Sequence, residues 1–161
     1  QLVDEQMRAW HAGAGSWRGK DDLNSRSIGF KLDNDDSSPF AAPLMNALER
    51  LLPGILARWS IPPEGVIGHS CMAPGRKIDP GPRFDWQRLA RSDLAVWPKN
   101  THTTTPDPAR FRADARAFGF PDVADDLLLT AARLRFRPWA RGPLDGRDCA
   151  IMAEMALRFG A

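Results

Sequence analysis

The chain has 161 residues, 43% of them hydrophobic and 26% charged, with a net charge of +2. That length suffices for one core, or for one domain with a small appendage, and the composition is that of a globular chain rather than a disordered one. The charge is too small to argue for nucleic acid, and no window holds the roughly 18 consecutive apolar residues that a membrane span needs.

The chain opens at Gln1 and not at Met, which we read as processing or truncation of a preceding segment. Residues 2–9 give a weak signal for an extended segment feeding a loop. Residues 10–24 hold Gly13, Gly15 and Gly19 with Trp10 and Trp17, so they read as a surface loop with aromatic walls. The two indoles either flank a groove faced by His11 or cover the edge of the core.

Ile28, Phe30 and Leu32 alternate with Gly29 and Lys31, the period of a strand with one apolar face. Lys31 then points to the opposite face, either solvent or a site. Residues 33–39 are turn formers that end the strand, and their acidic run reads as a solvated loop. From residue 43 to 59, Leu44, Leu48, Leu51, Leu52, Ile55 and Trp59 recur at helical spacing. Pro53 lies inside that stretch and predicts a kink or a helix in two parts, because proline lacks the N–H and crowds the preceding turn.

Val66 and Ile67 read as the end of a buried strand. They are followed by residues 68–82, a stretch too rich in Pro and Gly for regular structure that carries His69, Lys77 and Asp79. Loops of this kind carry function. An imidazole and a carboxylate meeting at a strand tip suit zinc, and the competing reading is a rigid turn around a hydrogen-bonded histidine. Cys71 and Cys149 are spaced unlike any metal motif, and neither is assigned to a disulfide. Residues 84–91 give a helical turn or two.

Residues 101–106, with three threonines and a proline, read as a linker. Residues 107–118, 122–135 and 145–159 then show helical periodicity, with Asp107 and Asp122 where caps belong and Gly119 and Gly160 where helices stop. The basic stretch of Arg133, Arg135, Arg137 and Arg141 around Trp139 is either a solvated face or a contact for an acidic polymer; we favour the solvated face.

Taken in order, residues 10–13 (WHAG), Leu23-Asn24, residues 27–29 (SIG), 68–70 (GHS), 73–77 (APGRK), 79–82 (DPGP) and 84–86 (FDW) resemble the zinc N-acetylmuramoyl-L-alanine amidases. Those enzymes cut peptidoglycan between the sugar and its stem peptide. Residues 118–120, 136–138 and 142–145 resemble the helical peptidoglycan-binding appendage of the outer-membrane lipoprotein branch.

The resemblance implies an α/β fold, a mixed sheet flanked by helices as in peptidoglycan recognition proteins, over residues 1–100. A linker at 101–106 and a small three-helix domain at 107–161 would follow. It implies zinc as cofactor, His69 and Asp79 as ligands, Lys77 as stabiliser of the oxyanion, and Trp10, His11 and Asn24 along the substrate groove. The family's first zinc histidine lies on a strand upstream of the position matching Gln1, so we expect that strand and the helix after it to be missing, and Lys31 falls at the family's usual glutamate. From these departures we expect the chain to be inactive alone, with the Lys31 ammonium pairing with Asp79. His11 or His102 is the remaining source of a third donor. Implied partners are peptidoglycan or a muropeptide and, to complete the sheet, another chain, in the periplasm or cell envelope. A non-catalytic peptidoglycan-binding or protein-interaction subunit is the alternative function.

Overall fold

The computed structural model describes residues 2–35, 37–99 and 102–160. Six α-helices follow in chain order: α1 (Ala42–Trp59), α2 (His69–Met72), α3 (Trp86–Arg91), α4 (Pro108–Phe118), α5 (Asp125–Phe136) and α6 (Gly146–Phe159). Single 3-10 turns form at Leu23–Ser25 and Pro63–Gly65.

The expected mixed sheet is not found. Among the described residues the β-type pairing is a lone antiparallel bridge between Trp17 and Lys20. Residues 28–32 have the alternation of a strand, yet none of their backbone groups joins a ladder with another described segment. Alternation states which side of an extended segment is apolar; a sheet also requires a hydrogen-bonded partner strand, and no described segment supplies one. Leu32 instead packs from the side onto the core under α1, while Phe30 stays exposed.

Helix α1 runs through Pro53 as one helix and not in two parts. Leu48 and Leu52 before the proline and Ile55 after it are all buried, so both halves are held on one side, and the ring of Pro53 lies on the exposed face. Met45, Leu48 and Leu52 pack there against Phe84, Trp86, Leu89, Leu94 and Ala95.

A second core joins Ala12, Trp17 and Leu23 from the first loop to Cys71 and Met72 of α2, to Ala73 after it, and to the inner faces of α4, α5 and α6. Val66 packs on the α1 core and Ile67 on this second one, so the segment leading to His69 is wedged between the two. The strand end expected at Val66 and Ile67 is not formed.

The three C-terminal helices lie where periodicity places them. Asp107 caps α4, its carboxylate accepting from the N–H of Arg110, and Asp145 forms a capping box with Asp148 at the start of α6. Asp122 does not cap α5. That helix begins at Asp125 without a side-chain cap, and Asp122 pairs with Arg116.

The basic stretch is a solvated face at Arg141 and Trp139 alone, which are exposed; the other three arginines turn inward. Arg133 is buried and binds the carboxylate of Asp148 at 2.6 Å, Arg137 reaches Asp145 and Asp148 at 2.7 Å each, and Arg135 is buried outright. The two aspartates at the head of α6 offset the charges of Arg133 and Arg137, which lets α6 pack against the end of α5. Both cysteines are free and buried, and no described helix is long and apolar enough to cross a membrane.

Candidate functional site

His69 is the first residue of α2, a single turn. The chain then doubles back: Arg76 and Lys77 donate their amides to the carbonyl of Ala73, Gly81 donates to Ile78, and the N–H of Ser70 closes the loop on the carbonyl of Asp79 at 3.0 Å. This return brings the carboxylate of Asp79 onto Nδ1 of His69. Gly68 makes room for it, since a Cβ at that position would lie 2.4 Å from Cδ of Pro80 and 3.1 Å from the carbonyl of Asp79. Both side chains are partly open to solvent, 29% for His69 and 45% for Asp79.

Nδ1 of His69 faces the Asp79 carboxylate, and the other ring nitrogen makes no hydrogen bond among the described residues. Two donors of the expected kind therefore converge. A catalytic zinc takes three protein donors and leaves one position open. No group of three His, Cys, Asp or Glu side chains arranged to hold a metal exists among the described residues. His11 does not supply the third donor, because its Nε2 engages the carbonyl of Ser27 at 3.2 Å and its ring lies against Gly29, where a Cβ would come within 2.4 Å of Nδ1. His102 is exposed and belongs to no such group. The described residues thus provide two of the donors and do not by themselves fit the zinc site.

Lys77 is exposed, two residues ahead of Asp79. Lys31 is exposed as well, and no ion pair joins it to Asp79, whose carboxylate is taken by His69. The expected Lys31 to Asp79 pairing is therefore not formed.

Asn24 is more central than sequence reasoning made it. It is buried, and its Oδ1 accepts from the amides of both His11 and Ala12 at 2.9 Å. One side-chain oxygen so fixes the turn that presents His11. The other end of that loop is held by Ser16 donating to the carbonyl of Met72 at 2.9 Å, and its middle by Arg76, which donates to the carbonyls of Ala12 and Ala14.

The two tryptophans divide between the readings. Trp17 is buried in edge contact with Phe118 and Phe120 at 5.5 Å. Trp10 is 82% exposed and carries the guanidinium of Arg8 at 4.4 Å from its ring centre. It lines a groove of about 470 Å³ together with Arg8, Gly13, Asp22 and Asn24.

A family model for N-acetylmuramoyl-L-alanine amidase matches residues 1–82, half the chain and the whole of the His69 to Asp79 loop. The chain belongs to the N-acetylmuramoyl-L-alanine amidase family. Among its relatives is the amidase AmiD of Escherichia coli K12, 35% identical over 188 aligned positions that take in 99% of this chain and 67% of AmiD. That alignment is longer than the chain, so AmiD carries residues within the matched span that this member lacks.

The anhydro-N-acetylmuramyl-L-alanine amidase AmpD of Enterobacter cloacae is 38% identical over 55% of this chain and 48% of its own length. This chain therefore spans about half of that relative. Of solved structures, E. coli AmiD in complex with the substrate anhydro-N-acetylmuramic acid-L-Ala-D-γ-Glu-L-Lys superposes with a TM-score of 0.89 at 34% identity, over 99% of this chain and 72% of that one. AmpDh3 of Pseudomonas aeruginosa in complex with anhydromuramic pentapeptide gives 0.85 at 31% identity, over 99% and 73%. The AmiD and AmpDh3 matches extend through α4, α5 and α6, whereas the family model ends at residue 82.

Proposed function

We propose that this amidase-family member binds the muramoyl peptide of peptidoglycan and presents the amide between N-acetylmuramic acid and L-alanine to His69 and Asp79. The observation that carries this reading is the convergence of those two side chains at the head of α2, inside the segment that the family model matches. The relatives solved with an anhydromuramoyl tripeptide and pentapeptide support the ligand class. Trp10, His11 and Asn24 form the wall along which the ligand lies, with Lys77 as the cation next to the scissile amide. A cation there would favour negative charge developing on the carbonyl oxygen.

Hydrolysis in this family draws on zinc, and His69 with Asp79 falls one donor short of the usual set. Lys31 replaces the glutamate expected near that site. These 161 residues therefore hold the muropeptide without cutting it, and cleavage requires a donor from outside the described residues, supplied by a further segment or by a second chain. The site of action is the cell envelope, where the substrate lies, and the three C-terminal helices serve as a peptidoglycan-binding appendage like that of the lipoprotein branch.

The test incubates the chain with purified sacculi and with a soluble muramoyl peptide, with and without added zinc. The expected result is co-sedimentation with sacculi, saturable binding of the muropeptide, zinc well below one per chain in equilibrium dialysis, and no release of peptide with a free L-alanine amino group. Failure to co-sediment would overturn the ligand assignment. Peptide release, or zinc near one per chain, would overturn the non-cleaving assignment.

A further inference from the structure

Residues 28–33 hold an unbroken run of open backbone. None of their N–H groups donates to, and none of their carbonyls accepts from, another group among the described residues. The stretch is neither helix nor turn, and its side chains alternate: Gly29, Lys31 and Asp33 are exposed, while Ile28 and Leu32 are half-buried. It is also held to the body of the protein. Leu32 packs on the core under α1, Nε2 of His11 engages the carbonyl of Ser27, and the ring of His11 lies against Gly29. An anchored row of open donors and acceptors is a template for another extended chain.

The charges say which chain. Lys31 and Asp33 make no ion pair among the described residues. Read in reverse, the order Lys31-Leu32-Asp33 is its own electrostatic complement. An antiparallel pairing of two copies centred on Leu32 sets each Lys31 directly opposite Asp33 of the partner subunit, so one contact yields two reciprocal ion pairs. A parallel in-register pairing sets Lys31 against a second Lys31, and so does an antiparallel pairing centred on that residue; like charges directly opposite are unfavourable. In the Leu32 register Phe30, which is 38% exposed, falls diagonal to the partner's Leu32 and within reach of its apolar surface.

We propose that this chain pairs with a second copy of itself through residues 28–33, the two segments running antiparallel about a two-fold axis at Leu32. The pairing gives partners to backbone groups that no described segment serves, and an isologous contact of this kind closes at two copies. It is independent of muropeptide binding.

The experiment is sedimentation velocity of the full chain over a range of concentrations, for wild type, Lys31→Glu and Asp33→Lys. The wild-type chain is expected to pass from monomer to dimer, and to need a higher concentration when salt is added. Each substitution turns both facing pairs into like-charge pairs and is expected to weaken self-association about thirtyfold. Both positions are exposed, so neither change disturbs the core. Mixed one to one, the two variants complement each other, one carrying two acids at positions 31 and 33 and the other two bases. That mixture is expected to dimerise about as readily as the wild type. A wild-type chain that stays monomeric would overturn the proposal, and this arm needs no variant to fold. A dimer unmoved by either substitution would also overturn it, since the contact would lie elsewhere. Variants that dissociate alone and fail to pair when mixed would overturn the register about Leu32, and assemblies larger than two would overturn the two-fold arrangement.

Discussion

The guanidinium of Arg135 lies 3.5 Å from the ring centre of Trp86, stacking a cation from α5 on the first residue of α3. Its Nη2 reaches the carbonyls of Val66 and Val96 at 3.4 and 3.3 Å, and its Nη1 has no acceptor among the described residues. Burial lowers its pKa to about 10, with no carboxylate alongside to offset it. The C-terminal helices are thereby fastened to the segment that carries His69. Arg135→Ala is expected to lower stability by about 3 kcal/mol, from the lost stacking and the cavity left behind. Arg135→Met fills the space with no charge to desolvate, so its loss should be about 1 kcal/mol. Urea unfolding of both variants checks the order, and a methionine variant as unstable as the alanine one would contradict it.

Asn24 is the acceptor for two amides, and that of Ala12 is buried with it. Removing the oxygen leaves both donors unpaired, at a cost of about 1–3 kcal/mol. Asn24→Ala is expected to show that loss together with weaker muropeptide binding, because the turn that presents His11 is no longer pinned. Asn24→Asp keeps an acceptor and should retain most of the stability. Calorimetric melting with a binding titration separates the two effects.

The pH dependence of stability is expected to reside partly at the head of α6. The Arg137 guanidinium, followed by the amides of Asp148 and Arg147, holds the Asp145 carboxyl down at about 2, below its ordinary 3.8. A pKa depressed in the folded state stabilises above the unfolded value and loses that contribution as pH falls toward the folded one. Stability should therefore decline between about pH 4 and pH 2, and Asp145→Asn should flatten that part of the curve. Melting temperatures of the two proteins across this range provide the measurement.

Burial pushes the Cys71 thiol upward, and the Cys149 thiol is raised for the same first reason. Thiolate is the reactive form, so neither side chain should react with a disulfide reagent in the native protein. Labelling is expected to follow global unfolding, with about two thiols modified in denaturant. Rapid labelling of the native chain would contradict the packing around α2.

The helices of the second half were legible from residue order because each is a local object. Phe111, Ala115 and Phe118 recur at helical steps, and Asp107 caps the turn three residues ahead. The fate of Arg133 on α5 and of Arg137 just after it was not legible. Arg133 and Arg137 look solvated until Asp145 and Asp148 arrive from another helix, and nothing near them in the chain announces that pairing. Strand periodicity misled in a related way at residues 28–32, where the apolar alternation is real and no described segment pairs with it.

His69 and Asp79 stand ten residues apart, and the Pro and Gly between them force the chain to return, so their meeting was written into the linear order. The joining of Trp17, Met72, Phe118 and Met155 in one core was not, nor was the groove beside Trp10. Composition and periodicity dictate what a segment can be by itself, since helix hydrogen bonds and tight turns close within a few residues. Which segments touch depends on burying apolar surface and satisfying charges between residues as far apart as Val66 and Arg135, and only the assembled molecule decides that.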